Sequence, residues 1–189
     1  GSNYVQRVVR KAIKHDLNIF AIHTNLDNVY TNGVNKCIAD HLGIRNTRIL
    51  MPKAGILHQN EEVGSGIIGE LDTPMEETAF LELVKTRMQT SIIKHTRLLG
   101  KPIRNVAVCG GSGRFLLEVA IKEGADIFIS SDFKYHEYFD ADGKIIIADL
   151  GHYESEQFTI DMLYKILTNK FNTFATHYTK VNTNPVNYF

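Results

Sequence analysis

The chain has little cysteine. Of its 189 residues only Cys37 and Cys109 are cysteines, both in apolar contexts and without CxxC spacing. That excludes a structural zinc site built on cysteine pairs and points to a reduced, intracellular setting. Net charge is absent too: 21 Lys and Arg balance 21 Asp and Glu, with no basic run, which argues against nucleic acid as the main partner. No apolar run approaches the ~20 residues a membrane span requires. With no signal peptide in view, the expected location is cytoplasmic. Internal repeats and low-complexity segments are also missing. The length suits one domain or two small ones with a real core. Gly1-Ser2 reads as a tag-cleavage scar.

What is present is an alternation of apolar runs and helical patterns. Residues 4–15 carry Val5, Val8, Val9, Ala12 and Ile13 at helical spacing. Asn18 to Ile22 reads as a buried strand. Val34 to Leu42 reads as a helix stopped by Gly43. Residues 51–66 show no period and read as a linker or junction. Thr73-Pro74-Met75-Glu76 has the residues of a helix start, with Thr73 as N-cap and the helix running to about Met88. Strands are expected at 92–99, 106–109, 126–129, 144–149 and 173–178. Helices are expected at 115–122, 135–139 and 156–170. The class is α/β, mixed sheets with flanking helices and a large parallel component.

Two acid–histidine clusters follow strand-like runs. One is His23-Thr24-Asn25-Leu26-Asp27, the other Gly151-His152-Tyr153-Glu154-Ser155-Glu156. Strand ends of open α/β sheets are where ligand sites are built, and His, Asp and Glu together suit Zn, Mn or Fe. Each cluster also has a plainer reading. Glu154 and Glu156 serve equally as first-turn acids on a helix beginning near Ser155, and Asn25, Asp27 and Asn28 are turn formers. In a straight strand His23 and Asp27 would lie ~13 Å apart, so they share a ligand only if the chain turns sharply between them. Gly110-Gly111-Ser112-Gly113 follows a strand and opens a helix, as a loop that holds an anion does or as a simple tight turn. It matches neither G-x-G-x-x-G nor G-x-S-x-G. Asp132, Lys134, Tyr135, His136 and Glu137 form a third cluster, either acid–base groups or a solvated loop.

In series, Ala21 to Asp27, Val106 to Gly113, Asp132 to His136 and Gly151 to Glu156 closely resemble the family named for the NGG-one interacting factor three, also labelled GTP cyclohydrolase type-two-like. The resemblance spans Asn3 to Phe189. It implies a two-lobed α/β core around a two-metal cleft, with Asp27, His152 and Glu156 as metal ligands and His23 lining the same cleft. It also implies homo-oligomers, dimers assembling into hexamers, and a metal-dependent hydrolase acting on a small molecule of nucleotide type. In that reading His23 or His136 moves protons and the glycines at 110–113 hold a phosphate. The alternative is a non-catalytic metal-binding scaffold. Family members carry a paired-histidine motif upstream of the segment matching Asn3, and some carry a PII-like domain where this chain has only Pro52 to Gly64. The expected organisation is thus an N-terminal lobe fragment (3–50), a junction (51–66) and a C-terminal lobe (67–189), holding at most one weakly bound ion.

Overall fold

The computed structural model describes residues 2–189; Gly1 of the expected scar lies outside them. Its strands are β1 (Arg45–His58), β2 (Glu61–Met75), β3 (Lys94–His95), β4 (Ile103–Ser112), β5 (Ile127–Ser131) and β6 (Ile146–Asp149). Its helices are α1 (Tyr4–Lys14), α2 (Thr24–Asp27), α3 (Val34–Leu42), α4 (Glu77–Arg87), α5 (Leu117–Lys122), α6 (His152–Glu156) and α7 (Thr159–Lys170). All six strands form one sheet in the order β1-β2-β4-β5-β6-β3. The centre, β4-β5-β6, is parallel, and the remaining pairs are antiparallel.

Period-two alternation explains how the central strands are covered on both faces. Val106, Val108, Ile127, Ile129, Ile146 and Ala148 share a core with α3 and α4, through Ile38, Phe80 and Val84. Their neighbours Ala107, Phe128 and Ile147 pack on the other face against Leu116, Leu117 and Ala120 around α5. Each large apolar side chain so buried contributes about 1.5–3 kcal/mol. Gly43, at φ 75°, ends α3 as expected.

Several expected elements differ. Residues 18–22 form no strand: Ile19 and Phe20 are 66% and 84% exposed, and no neighbouring chain satisfies the backbone there. The junction at 51–66 is the outer part of the β1–β2 hairpin, turned by Gln59 and Asn60 at φ 50° and 67°. Its tip is exposed on both faces, so it shows no period. The Thr73 start signal is overridden. β2 continues to Met75, which pairs with Ile103, and α4 begins at Glu77. The 92–99 strand shrinks to β3, at the sheet edge. The long last helix breaks into α6 and α7, with α6 starting at His152 rather than near Ser155. Residues 173–178 have no regular structure. Among the described residues no helix is long and apolar enough to cross a membrane.

Candidate functional site

The sharp turn that His23 and Asp27 require is present. α2 starts directly after His23, whose backbone N–H donates to Asn25 Oδ1 at 3.0 Å. One helical turn therefore carries both side chains to the same cleft. Two buried asparagines hold this turn in place. Asn28 donates to the Thr24 carbonyl at 2.5 Å and accepts from Ser65 Oγ at 2.9 Å. Asn35 donates to the Asp27 carbonyl and accepts the Gly110 N–H, both at 2.9 Å, so it ties α2 to the end of β4. The sequence marks Asn28 only as a turn former and Asn35 not at all.

The facing wall is α6. β6 ends at Asp149, whose carboxylate accepts the Gly151 N–H at 3.0 Å. Gly151, at φ 91°, then swings the chain into the helix. His152 and Glu156 sit four apart on one helical face, with Nε2 and Oε2 3.6 Å apart. On its other side, His152 Nδ1 meets Asp132 Oδ2 at 2.6 Å. Asp132 itself adopts φ 62°, a left-handed conformation that aspartate takes more readily than most side chains. The sequence marked Asp132 only as one of a cluster. Its pairing with His152 depends on β5 and β6 lying side by side.

The cleft between these walls has a volume of about 250 Å³. His23, Asp27, His152 and Glu156 all line it, and no lysine or arginine does. Its charges respond in one direction. Burial raises the Asp27 carboxyl, only partly opposed by His23 and His152. Burial also raises Glu156, with Asp27 adding to the effect and His152 opposing it. Burial alone would lower His152, but the Asp132 hydrogen bond and the Glu156 charge outweigh it and raise it. Every shift favours the protonated form, and a cation bound there would have to displace those protons. The neighbouring thiol of Cys109 is pushed up to about 12, by burial first and then by Asp27 and Glu156, and so stays protonated.

Two groups expected at the site are placed differently from Asp27, His152 and Glu156. His136 lies exposed on the 3₁₀ turn Tyr135–Ala141 and is not among the residues lining the cleft. Two of the amides in the glycine run are already engaged within the protein. The Gly110 N–H is taken by Asn35, the Gly111 N–H by Ser155 Oγ at 2.9 Å, and the Gly111 carbonyl accepts from Ser130 and Ser131. Glycine is needed here for close approach instead. At Gly111, φ 63°, a Cβ would stand 2.6 Å from Glu156 Oε1 and 3.2 Å from His152 Nε2. A carboxylate at that distance also repels a second anion.

The donors therefore suit a divalent cation by chemistry, with imidazole and carboxylate side chains and no competing basic group. As placed, no group of three or more His, Cys, Asp or Glu side chains among the described residues is gathered closely enough to hold an ion.

Fold and site together define a class: an α/β protein with an acid–histidine cleft at the carboxyl ends of parallel strands. The family model for Duf34/NIF3 (NGG1p interacting factor 3) matches residues 1–185. The chain belongs to the DUF34/NIF3 family. It is 33% identical over 153 residues to a Clostridium perfringens protein named "GTP cyclohydrolase 1 type 2 homolog", covering 79% of this chain and 56% of that one. A Streptococcus pneumoniae protein of the same name is 35% identical over 150 residues, covering 75% and 52%. The chain thus spans about half the length of these relatives. Among solved structures, Staphylococcus aureus protein SA1388 superposes with a TM-score of 0.88 at 26% identity, covering all of this chain and 75% of that one. A Bacillus cereus protein related to NIF3 also gives 0.88, at 21% identity over 97% and 77% of the chains, which speaks to fold alone.

Proposed function

We propose that the cleft binds a divalent metal ion through Asp27, His152 and Glu156 and serves a metal-dependent hydrolase. The observation that carries this reading is the convergence of these imidazole and carboxylate side chains on a cleft without lysine or arginine. Zn, Mn and Fe all suit this donor set. A bound divalent ion supplies Lewis acidity and an activated water. Asp132 fixes the proton on His152 Nδ1, which leaves Nε2 turned toward Glu156 and the cleft. His23, at the cleft mouth, is the proton carrier. The relatives' name makes a nucleotide-type small molecule the first substrate to try.

The test has two readouts. Elemental analysis after equilibration with Mn, Zn or Fe should show bound metal that Asp27→Asn and Glu156→Gln each lose. A panel of nucleotides and related small molecules should then show turnover only with metal. Metal retained by both variants would overturn the ligand assignment. Metal bound without turnover in a chain extended to the relatives' length favours the scaffold reading, which the looseness of the donor group also supports. The proposal includes a homo-oligomer in the cytoplasm. α1 leaves Val5, Val8, Val9 and Ile13 about half exposed or more, an apolar stripe that a second copy would cover. Light scattering at micromolar concentration should give more than a monomer mass.

A further inference from the structure

The cleft has no lysine or arginine to hold an anion, whereas basic and open aromatic side chains are gathered together elsewhere. A second cavity of about 650 Å³ lies between the edge strand β3 and the 3₁₀ turn Tyr135–Ala141. That volume is within the ~300–1,000 Å³ typical of small-molecule sites. Lys94, His95 and Arg97 line it from the strand side, and Tyr135, Tyr138 and Phe139 from the turn. Tyr135 and Phe139 are 82% and 69% exposed. Their rings meet edge to face, with centroids 5.6 Å apart at 76°, which leaves aromatic surface open. Such surface is costly to leave in water and is what a nucleobase stacks on.

The charges are specific too. Lys94 is committed to buried Asp149 at 2.9 Å, and Asp142 on the rim to Lys144 at 2.7 Å. Among the described residues this leaves Arg97 as the lining cation without an acidic partner. A guanidinium beside open aromatic rings matches a phosphate attached to an aromatic base. We infer that this cavity is a second ligand site, separate from the acid–histidine cleft, that takes a purine nucleoside monophosphate. One unpaired cation suits a single phosphate better than a chain of them. Two fused rings offer more stacking area than one. The site borders the cleft through Asp149, which accepts from Tyr138 Oη at 3.0 Å and from the Gly151 N–H beside His152.

The test is a fluorescence titration with N-methylanthraniloyl-AMP in EDTA, so that metal binding at the cleft plays no part. Saturable binding, displaced by unlabelled AMP, is expected. Arg97→Ala should weaken it about tenfold or more. Tyr135→Ala with Phe139→Ala should weaken it by roughly tenfold to hundredfold, since stacking on aromatic side chains is worth ~1–3 kcal/mol per base. Adenosine should bind Arg97→Ala and the unaltered protein alike, and Glu156→Gln should bind the label normally. All three cavity positions are exposed, so these variants keep the fold, which a thermal melt verifies. The inference is overturned if no saturable binding is seen, or if Glu156→Gln abolishes binding while the cavity variants leave it intact. It is also overturned if a single-stranded oligonucleotide displaces the label better than AMP, since the site would then serve nucleic acid.

Discussion

At the amino ends of β4 and β5, Asp126 accepts the backbone N–H groups of Arg104 and Asn105 at 2.9 and 2.8 Å and pairs with Lys101 at 2.8 Å. At the carboxyl ends of the same sheet, Asp27 and Glu156 share a cleft with imidazoles and with no lysine or arginine. Burial pushes Asp126 up, but these hydrogen bonds outweigh it and leave its carboxyl below the ordinary range. Hydrogen bonds from Asn46 and Arg104 lower half-buried Glu70 nearby. Asp27 and Glu156 move the other way, chiefly through burial. One end of the sheet thus uses its acids to hold strands together. The other keeps acids desolvated and short of partners, a cost to stability that a binding site retains and a structural site does not.

The largest effect should come from the structural end. Asp126→Ala leaves two backbone N–H groups and Lys101 without their acceptor and should cost about 2–4 kcal/mol in urea unfolding. A loss below about 0.5 kcal/mol would break the contrast. Because the folded pKa of Asp126 is depressed, its contribution is complete above the ordinary value of 3.8 and is lost as pH falls through the lower folded value. Asp126→Asn should therefore flatten the acid limb of the stability profile.

At the cleft, Asp132→Asn weakens the hydrogen bond that orients His152. It should reduce Mn or Zn affinity ~10–100-fold in calorimetric titration while leaving the melting temperature nearly unchanged. A fall in stability without a fall in affinity would make Asp132 a structural acid like Asp126. Gly111→Ala should cost about 1–2 kcal/mol for its left-handed backbone, and more if the new methyl cannot displace Glu156. An unaltered thermal melt would refute the close approach drawn from its geometry. The smallest effect is the most diagnostic. Glu156→Gln in metal-free protein should fall within about 1 kcal/mol of the parent, on the stabilising side, because it removes a desolvated charge. Clear destabilisation would mean that Glu156 holds the fold rather than a ligand.

Some of the site was legible without coordinates. His152 and Glu156 are four apart, a spacing that helix geometry makes neighbours once the helix begins at His152 and not near Ser155. His23 and Asp27 were ambiguous, because their distance depends on whether the chain runs straight or turns, and α2 decides that. Asn35 gave no signal, since its role is to accept a backbone N–H 75 residues away. The glycines were visible as a cluster, but what they pack against was not. Their amides are consumed by Asn35 and Ser155, partners that only packing supplies.

The sequence by itself determined the parallel core. Val106 to Cys109, Ile127 to Ile129 and Ile145 to Ala148 are apolar without interruption because they are covered on both faces. It also determined the stop at Gly43, where only a residue free of Cβ strain takes φ 75° cheaply. The tertiary structure decided which apolar runs became strands. Ile19-Phe20 and Ile146-Ile147 look alike as letters. The second pair is paired by β5 on one side, donates to Thr96 on the other, and is fully buried. The first has no neighbour and faces solvent. A strand's hydrogen bonds belong to its neighbours, and a run of letters does not contain them.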